Sequence, residues 1–211
     1  MREQILLGTL LGDGYIGKLQ NRSKSYSIVW EHSLEQSQYA IWKAENSLPN
    51  YSVYKRERFD SRTNSIYKSI RCYSRVEDYK EYRDLFYQES KEVCQEILDK
   101  LKPLGVAVWF MDDGNLYYNG NCCHLNLAVN GFNQESVDRI VAHFKYKYGI
   151  IFKKSGKALR LTSVKQIEIW DSIFSQYYHE SMLYKTLKFQ KNKYNNKLSN
   201  ERKKFRNNKY K

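Results

Sequence analysis

Two stretches of the chain are apolar almost without a break, and both end the same way. Ile5–Gly14 reads ILLGTLLGDG and Gly105–Gly114 reads GVAVWFMDDG, each closing on Asp-Gly. Elsewhere the apolar residues are periodic. Val137, Ile140, Val141 and Phe144 recur at helical spacing, as do Ile167, Trp170 and Phe174, which predicts two helices with one buried face each. Among and between the helices lie short segments rich in β-branched and aromatic residues: YSIVWEH, YSVYKRERF, SIYKSIRCY, HLNLAVN, IIFKK and KALRLTS. Bounded by Asn, Ser, Gly or Asp, they read as strands. Ser33 with Gln36, Ser74 with Glu77, and Ser163 with Gln166 each fit a capping box at a helix start. Asn133 fits the cap of a further helix, with Glu135 and Asp138 near its positive end and Lys145, Lys147 and Gly149 at its close.

The order repeats. Asp13 precedes Ser33 by 20 residues, and Asp113 precedes Asn133 by 20. Each half therefore reads helix, two strands, helix, two strands, helix. This predicts an α+β fold of two pseudo-symmetric halves, residues 1–100 and 101–187, followed by a basic tail at 188–211. Pseudo-two-fold symmetry sets the two apolar helices side by side. Gly8 and Gly12, four apart, let the first approach its partner closely, whereas the second carries Val108 and Asp112 at those positions.

Composition narrows the class. A length of 211 residues suits one large domain or two small halves, and 41% hydrophobic content supports a packed core. Neither apolar run reaches the roughly 18 to 20 residues that cross a bilayer, and the N-terminus lacks a signal-peptide pattern. Cys72, Cys94, Cys122 and Cys123 form no CxxC pair and read as reduced thiols of an intracellular protein. His32, His124, His143 and His179 lack metal-site spacing and read as structural or surface residues. The net charge of +13 favours polyanions. Lys185–Lys211 alone contributes +10, so the end of the chain reads as a nucleic-acid arm or a solubilising segment.

The two nine-residue stretches LLGTLLGDG (Leu6–Gly14) and VAVWFMDDG (Val106–Gly114) resemble the paired motifs of the LAGLIDADG homing endonucleases, above all monomeric two-motif members encoded in introns. The resemblance spans about residues 3 to 187. It implies two αββαββα halves joined across the motif helices, each offering a curved antiparallel sheet to DNA. The eighth motif residue of the family binds metal, which maps to Asp13 and Asp113, with the backbone carbonyls of Gly12 and Asp112 completing the coordination. A basic residue near each scissile phosphate maps to Lys91 and, in a Met-Leu-Tyr-Lys order, to Lys185; an exposed surface lysine is the plainer alternative for each. The implied activity is site-specific double-strand DNA cleavage by a monomer. It acts across the minor groove of a long asymmetric target and leaves short 3′ overhangs. The implied location is the compartment that holds the target: bacterial or phage-infected cytoplasm, or an organelle. Two alternatives stay open: an RNA-binding intron maturase on the same fold, and a non-catalytic DNA-binding regulator.

The physical case for a metal runs beside the resemblance. Two carboxylates at the ends of adjacent parallel helices repel, and a divalent cation removes the repulsion. Mg2+, with Mn2+ as a substitute, takes oxygen ligands and keeps waters for phosphodiester hydrolysis. Alternation along the strands puts Arg56 and Arg58 on one side of theirs, and Tyr67 and Arg71 on one side of the next. With Asn126, Asn130, Lys153 and Arg160 in the second half, these form the expected DNA-reading set.

Overall fold

The computed structural model describes residues 1–17, 25–75, 79–87 and 90–208, with side chains as far as residue 200. Helix α1 (Arg2–Leu11) leads into β1 (Tyr15–Ile16) and β2 (Ile28–Ser33). After one 3-10 turn come α2 (Ser37–Ser47), the hairpin β3 (Ser52–Asp60) and β4 (Ser65–Ser74), then α3 (Lys80–Phe86) and α4 (Gln95–Lys100). The pattern restarts with α5 (Pro103–Asp113), β5 (Gly114–Tyr118), β6 (Cys123–Ala128), α6 (Gln134–Tyr148), β7 (Lys153–Ser155), β8 (Ala158–Leu161) and α7 (Val164–Phe174). A 3-10 segment at Glu180–Lys185 precedes α8 (Leu187–Asn208). The strands form two four-stranded antiparallel sheets, ordered β1-β2-β4-β3 and β5-β6-β8-β7. The α+β class and the repeated strand order are as expected. Among the described residues, no helix is long and apolar enough to cross a membrane.

Helices α1 and α5 lie side by side and run parallel. Residues 4–11 of the first and 105–111 of the second are buried, as befits helices that are apolar all round. Matching positions meet. Gly8 lies against Val108 and the Gly105 carbonyl, and Gly12 against the Asp112 side chain. A methyl group on Gly8 would sit 2.3 Å from the Gly105 oxygen, and one on Gly12 would sit 2.5 Å from Asp112 Cβ. At the entry to the seam, the buried Gln4 accepts the Lys102 N–H (2.7 Å) and donates to the Lys100 carbonyl (3.0 Å). Pro103, whose missing N–H costs nothing in a first turn, opens α5. Both sheets pack their apolar faces onto the helices, so residues of the two halves share one continuous core.

The helix starts differ from expectation in several places. Asn133 accepts the Ser136 N–H, and Gly149 closes α6 in the left-handed conformation (φ 65). Ser33 and Ser163 make no side-chain cap bond. Gln166 turns instead to the β7 connection, accepting the Ile151 N–H at 2.7 Å. Ser74 ends β4 while α3 begins at Lys80, and Glu77 lies outside the described residues. The basic tail forms α8. Its less exposed positions, Leu187, Gln190, Lys191, Tyr194 and Leu198, recur at helical spacing. Tyr194 meets Tyr118 edge-on at 5.6 Å, and Lys191 pairs with Glu168 at 3.3 Å.

The seam makes a prediction of sign. In a free-standing helix Gly8→Ala would stabilise by about 1 kcal/mol. Here overpacking against the Gly105 carbonyl outweighs that gain, and a net loss of about 1–3 kcal/mol is expected in urea denaturation.

Candidate metal centre and nucleic-acid face

The ends of α1 and α5 carry three carboxylates: Asp13, Asp112 and Asp113. Burial raises Asp13 to about 7, the neighbouring Asp112 charge adds to the rise, and Lys43 opposes it. The Asp113 charge also raises Asp13, so the two motif acids feel one another. Asp113 rises to about 6, again through burial first and Asp112 second, with Lys91 as the main opposing charge. These acids hold protons at a pH where ordinary carboxylates do not.

The Asp112 side chain is fully buried and engaged. Lys43 Nζ, also fully buried, donates to both its oxygens at 2.8 and 2.9 Å. The Tyr39 hydroxyl donates to Oδ1 at 2.8 Å, and the Asp13 backbone N–H reaches Oδ2 at 3.3 Å. One carboxylate from α5 thus ties α2 to the end of α1. Aromatic faces surround the ammonium, with the Tyr39 ring at 4.9 Å and the Trp30 ring at 5.3 Å. His32, buried at the end of β2, places Nδ1 3.5 Å from Asp13 and Nε2 3.7 Å from Asp112. Burial, with Lys43 nearby, lowers it to about 4, so its ring is neutral at neutral pH. Among the described residues, His32 Nε2 has no hydrogen-bond partner, while Nδ1 lies 3.2 Å from Gln36 Oε1.

Three potential ligand atoms gather here, but the Lys43 ammonium already occupies both Asp112 oxygens, so a divalent cation would have to use the Asp13 side of the cluster. Asp13, His32 and Asp112 each offer a ligand atom, all within 4.8 Å of one another, and form the single such group among the described residues. The sequence pairs Asp13 with Asp113 and reads His32 as structural or surface; in the fold His32 is buried beside Asp13 and Asp112. Strand alternation held the missing signal, since Ile28 and Trp30 on the same side of β2 are buried too. Lys43 could also have been found. Tyr39, Ala40, Lys43, Ala44 and Ser47 fall on one helical stripe, which is the buried face of α2.

The two expected lysines both lie at the helix ends. Lys91 Nζ donates to the Gly12 carbonyl at 3.2 Å and lines a cleft of about 200 Å3 with Asp113, Asn130 and Phe132. Lys185 Nζ donates to the Met111 carbonyl at 2.5 Å. Burial lowers both, Lys185 to about 8, against the pull of the three acids. The Gly12 carbonyl, expected as a ligand, is thus engaged by a lysine.

Pairing between strands fixes the sheet faces. Tyr54 pairs with Arg71, Arg56 with Ser69 and Arg58 with Tyr67, so Arg56, Arg58, Tyr67 and Arg71 share the face turned away from the core. Glu31 shares it and binds Arg56 at 3.0 Å, an acid that the pattern of basic residues did not suggest. In the second sheet Arg160 lies between Asn126 and Lys153, and its Nε donates to Asn126 Oδ1 at 2.7 Å. Asn130 lies beyond the end of β6, in the Lys91 cleft rather than on the strand.

Comparison with known proteins agrees with this architecture. Residues 3–172 match the LAGLIDADG DNA endonuclease family, and the chain belongs to that family. Protein RecA of Mycolicibacterium flavescens is 23% identical over 200 residues, which are 87% of this chain and 46% of that protein. The chain therefore spans less than half the length of that relative. Probable intron-encoded endonuclease 1 of Wickerhamomyces canadensis is 24% identical over 199 residues, covering 89% of this chain and 84% of the relative. Among solved structures, the homing endonuclease I-WcaI bound to its DNA recognition sequence superposes with a TM-score of 0.76 at 21% identity. That match covers 88% of this chain and 85% of I-WcaI, and the likeness is one of fold.

The buried ion pair carries a stability prediction. Lys43→Met strands the Asp112 carboxylate and should cost about 3–5 kcal/mol, read by chemical denaturation. Adding Asp112→Asn should restore much of that loss, because no unpaired charge is then buried.

Proposed function

We propose that the chain is a monomeric, Mg2+-dependent, site-specific double-strand DNA endonuclease. The observation that carries this reading is the meeting of Asp13, Asp112 and Asp113 where two parallel helices end, with half-buried Lys91 and buried Lys185 beside them, in a member of this family. A divalent cation held by Asp13 and Asp113, with Mn2+ able to replace Mg2+, would neutralise their repulsion and activate water for attack on phosphorus.

The remaining roles belong to the chain's own residues. Lys91 and Lys185, desolvated and fixed on backbone carbonyls, hold positive charge where negative charge grows on the phosphate. Arg56, Arg58, Tyr67 and Arg71 offer one sheet face to a major groove, and Asn126, Lys153 and Arg160 offer the other. Arg pairs in two bonds with guanine and Asn with adenine, each worth about 1–3 kcal/mol of discrimination. With two unlike faces, the target is long and asymmetric. The place of action is wherever that DNA resides.

Incubation of purified protein and Mg2+ with a randomised DNA library, followed by sequencing of the ends, tests the reading. One recurring asymmetric sequence with short 3′ overhangs is expected. Asp13→Asn or Asp113→Asn should reduce cutting to background, and Lys91→Met or Lys185→Met should slow it about 10²–10³-fold. No Mg2+-dependent ends, together with tight binding of intron RNA, would replace this reading with the maturase.

The raised acids add a pH dependence. Their folded values of about 7 and 6 lie above the ordinary 3.8, so the metal-free fold binds protons that the unfolded chain has released. Stability from this source is fully present below the unfolded value of 3.8 and is lost progressively as pH rises from there through the folded values of about 6 and 7. Cation binding needs the ionised forms and runs the other way. The Mg2+-induced rise in melting temperature should therefore be small below pH 6 and reach its full size above pH 7, as followed by thermal unfolding with and without Mg2+.

A further inference from the structure

The two halves repeat each other closely enough to be compared position by position, and around the acids they differ. Tyr15 pairs with Val29 and Asn115 with Asn126, which makes β2 and β6 equivalent with His32 matched to Val129. The same offset of 97 carries the buried stripe of α2 onto that of α6: Ala40 onto Val137, Tyr39 onto Ser136, Lys43 onto Ile140. Asp112 itself corresponds to Gly12, as the motif alignment and the contact between the two residues require. His32, Lys43 and Asp112 thus have counterparts that lack their chemistry, and the Ser136 hydroxyl that matches Tyr39 accepts the Val93 N–H instead.

The surroundings divide in the same way. The Asp13 backbone N–H and side chain touch Asp112 and His32, and Lys43 holds Asp112 from beneath. Asp113 instead shares its cleft with Lys91, Gly12 and the backbone turn at Asn130–Phe132. Lys185 Nζ is held on the Phe110 and Met111 carbonyls of α5, while the adjoining Tyr184 hydroxyl accepts a hydrogen bond from Gln36 at 2.9 Å.

We propose that Lys43, Asp112, Tyr39 and His32 form a positioning unit for Asp13 alone, so that the two acids bind and use divalent cation by unequal means. The buried ammonium acts as a resident cation. It neutralises Asp112, which then fixes the Asp13 backbone instead of competing as a free anion. His32 limits where the Asp13 carboxylate can turn. Asp113 has no such support and depends on Lys91. This inference rests on the nuclease reading for its purpose but not for its test.

The test is Mn2+ binding to the whole protein, followed by electron paramagnetic resonance without DNA. Two changes are compared: Lys43→Met with Asp112→Asn, and His32→Val, which installs the residue found at the matching place in the second half. Each is made in an Asp113→Asn background, where Asp13 is the remaining motif acid, and in an Asp13→Asn background. In the first, affinity should fall about 10-fold or more, the size usual for residues that orient a ligand. In the second, His32→Val should change affinity by no more than about 2-fold, and the double variant, which also alters the charge beside Asp113, should lose clearly less than in the first. Loss alike in both backgrounds, or response in neither, overturns the proposal. His32→Val breaks no ion pair and decides the matter if the double variant melts early. A protein that shows this pattern yet never cuts DNA would sink the endonuclease reading and leave the positioning unit standing.

Discussion

The close approach of α1 and α5 is the constraint on which the molecule is built. Gly8 has no room for a methyl group beside the Gly105 carbonyl, and Gly12 none beside Asp112. Because the helices run parallel and in register, their C-terminal ends coincide, and so do their acids. A wider spacing would part Asp13 from Asp112 and Asp113, and an antiparallel pair would send the acids to opposite ends. The sheets then inherit their placement, since β1 and β5 start within a few residues of the helix ends.

Burial at that junction changes the acids from ordinary surface carboxylates into groups that resist ionisation. The Asp112 side chain is paired with the Lys43 ammonium, which lies against the Tyr39 and Trp30 rings. Among the described residues, no lysine or arginine forms an ion pair with Asp13 or Asp113, and both keep elevated values. Burial, with the Asp112 charge second, is what raises both, so their ionisation is costly unless positive charge is brought close to them.

Much of this was legible in the residues, and the gaps have physical causes. The two Asp-Gly endings 100 residues apart announced the repeat, because few constraints other than a shared seam demand two such helices. The alternation in β3 and β4 placed Arg56, Arg58, Tyr67 and Arg71 on one side, and the register bears that sharing out. Lys43 was missed because a lysine in a helix is ordinarily solvated, and its partner lies 69 residues away. Glu31 escaped notice because its ties to Arg56 and Ser69 cross from β2 to two other strands. The capping boxes failed where a polar side chain found a tertiary partner instead, as Gln166 did with Ile151. Local pattern locates elements well, but it does not choose among distant partners for a polar group.

The shared seam also bears on how the protein is made. Helix α1 buries residues 4–11, largely against a helix that the ribosome reaches about 100 residues later. At ordinary elongation rates, about 5 to 20 residues per second, the oily first segment waits some seconds with its intended neighbour unmade. During that wait the nascent chain exposes an adhesive strip, and a chaperone or a second growing chain can claim it. Joining both halves in one polypeptide keeps the partner helix close once made, but the first segment still waits for it.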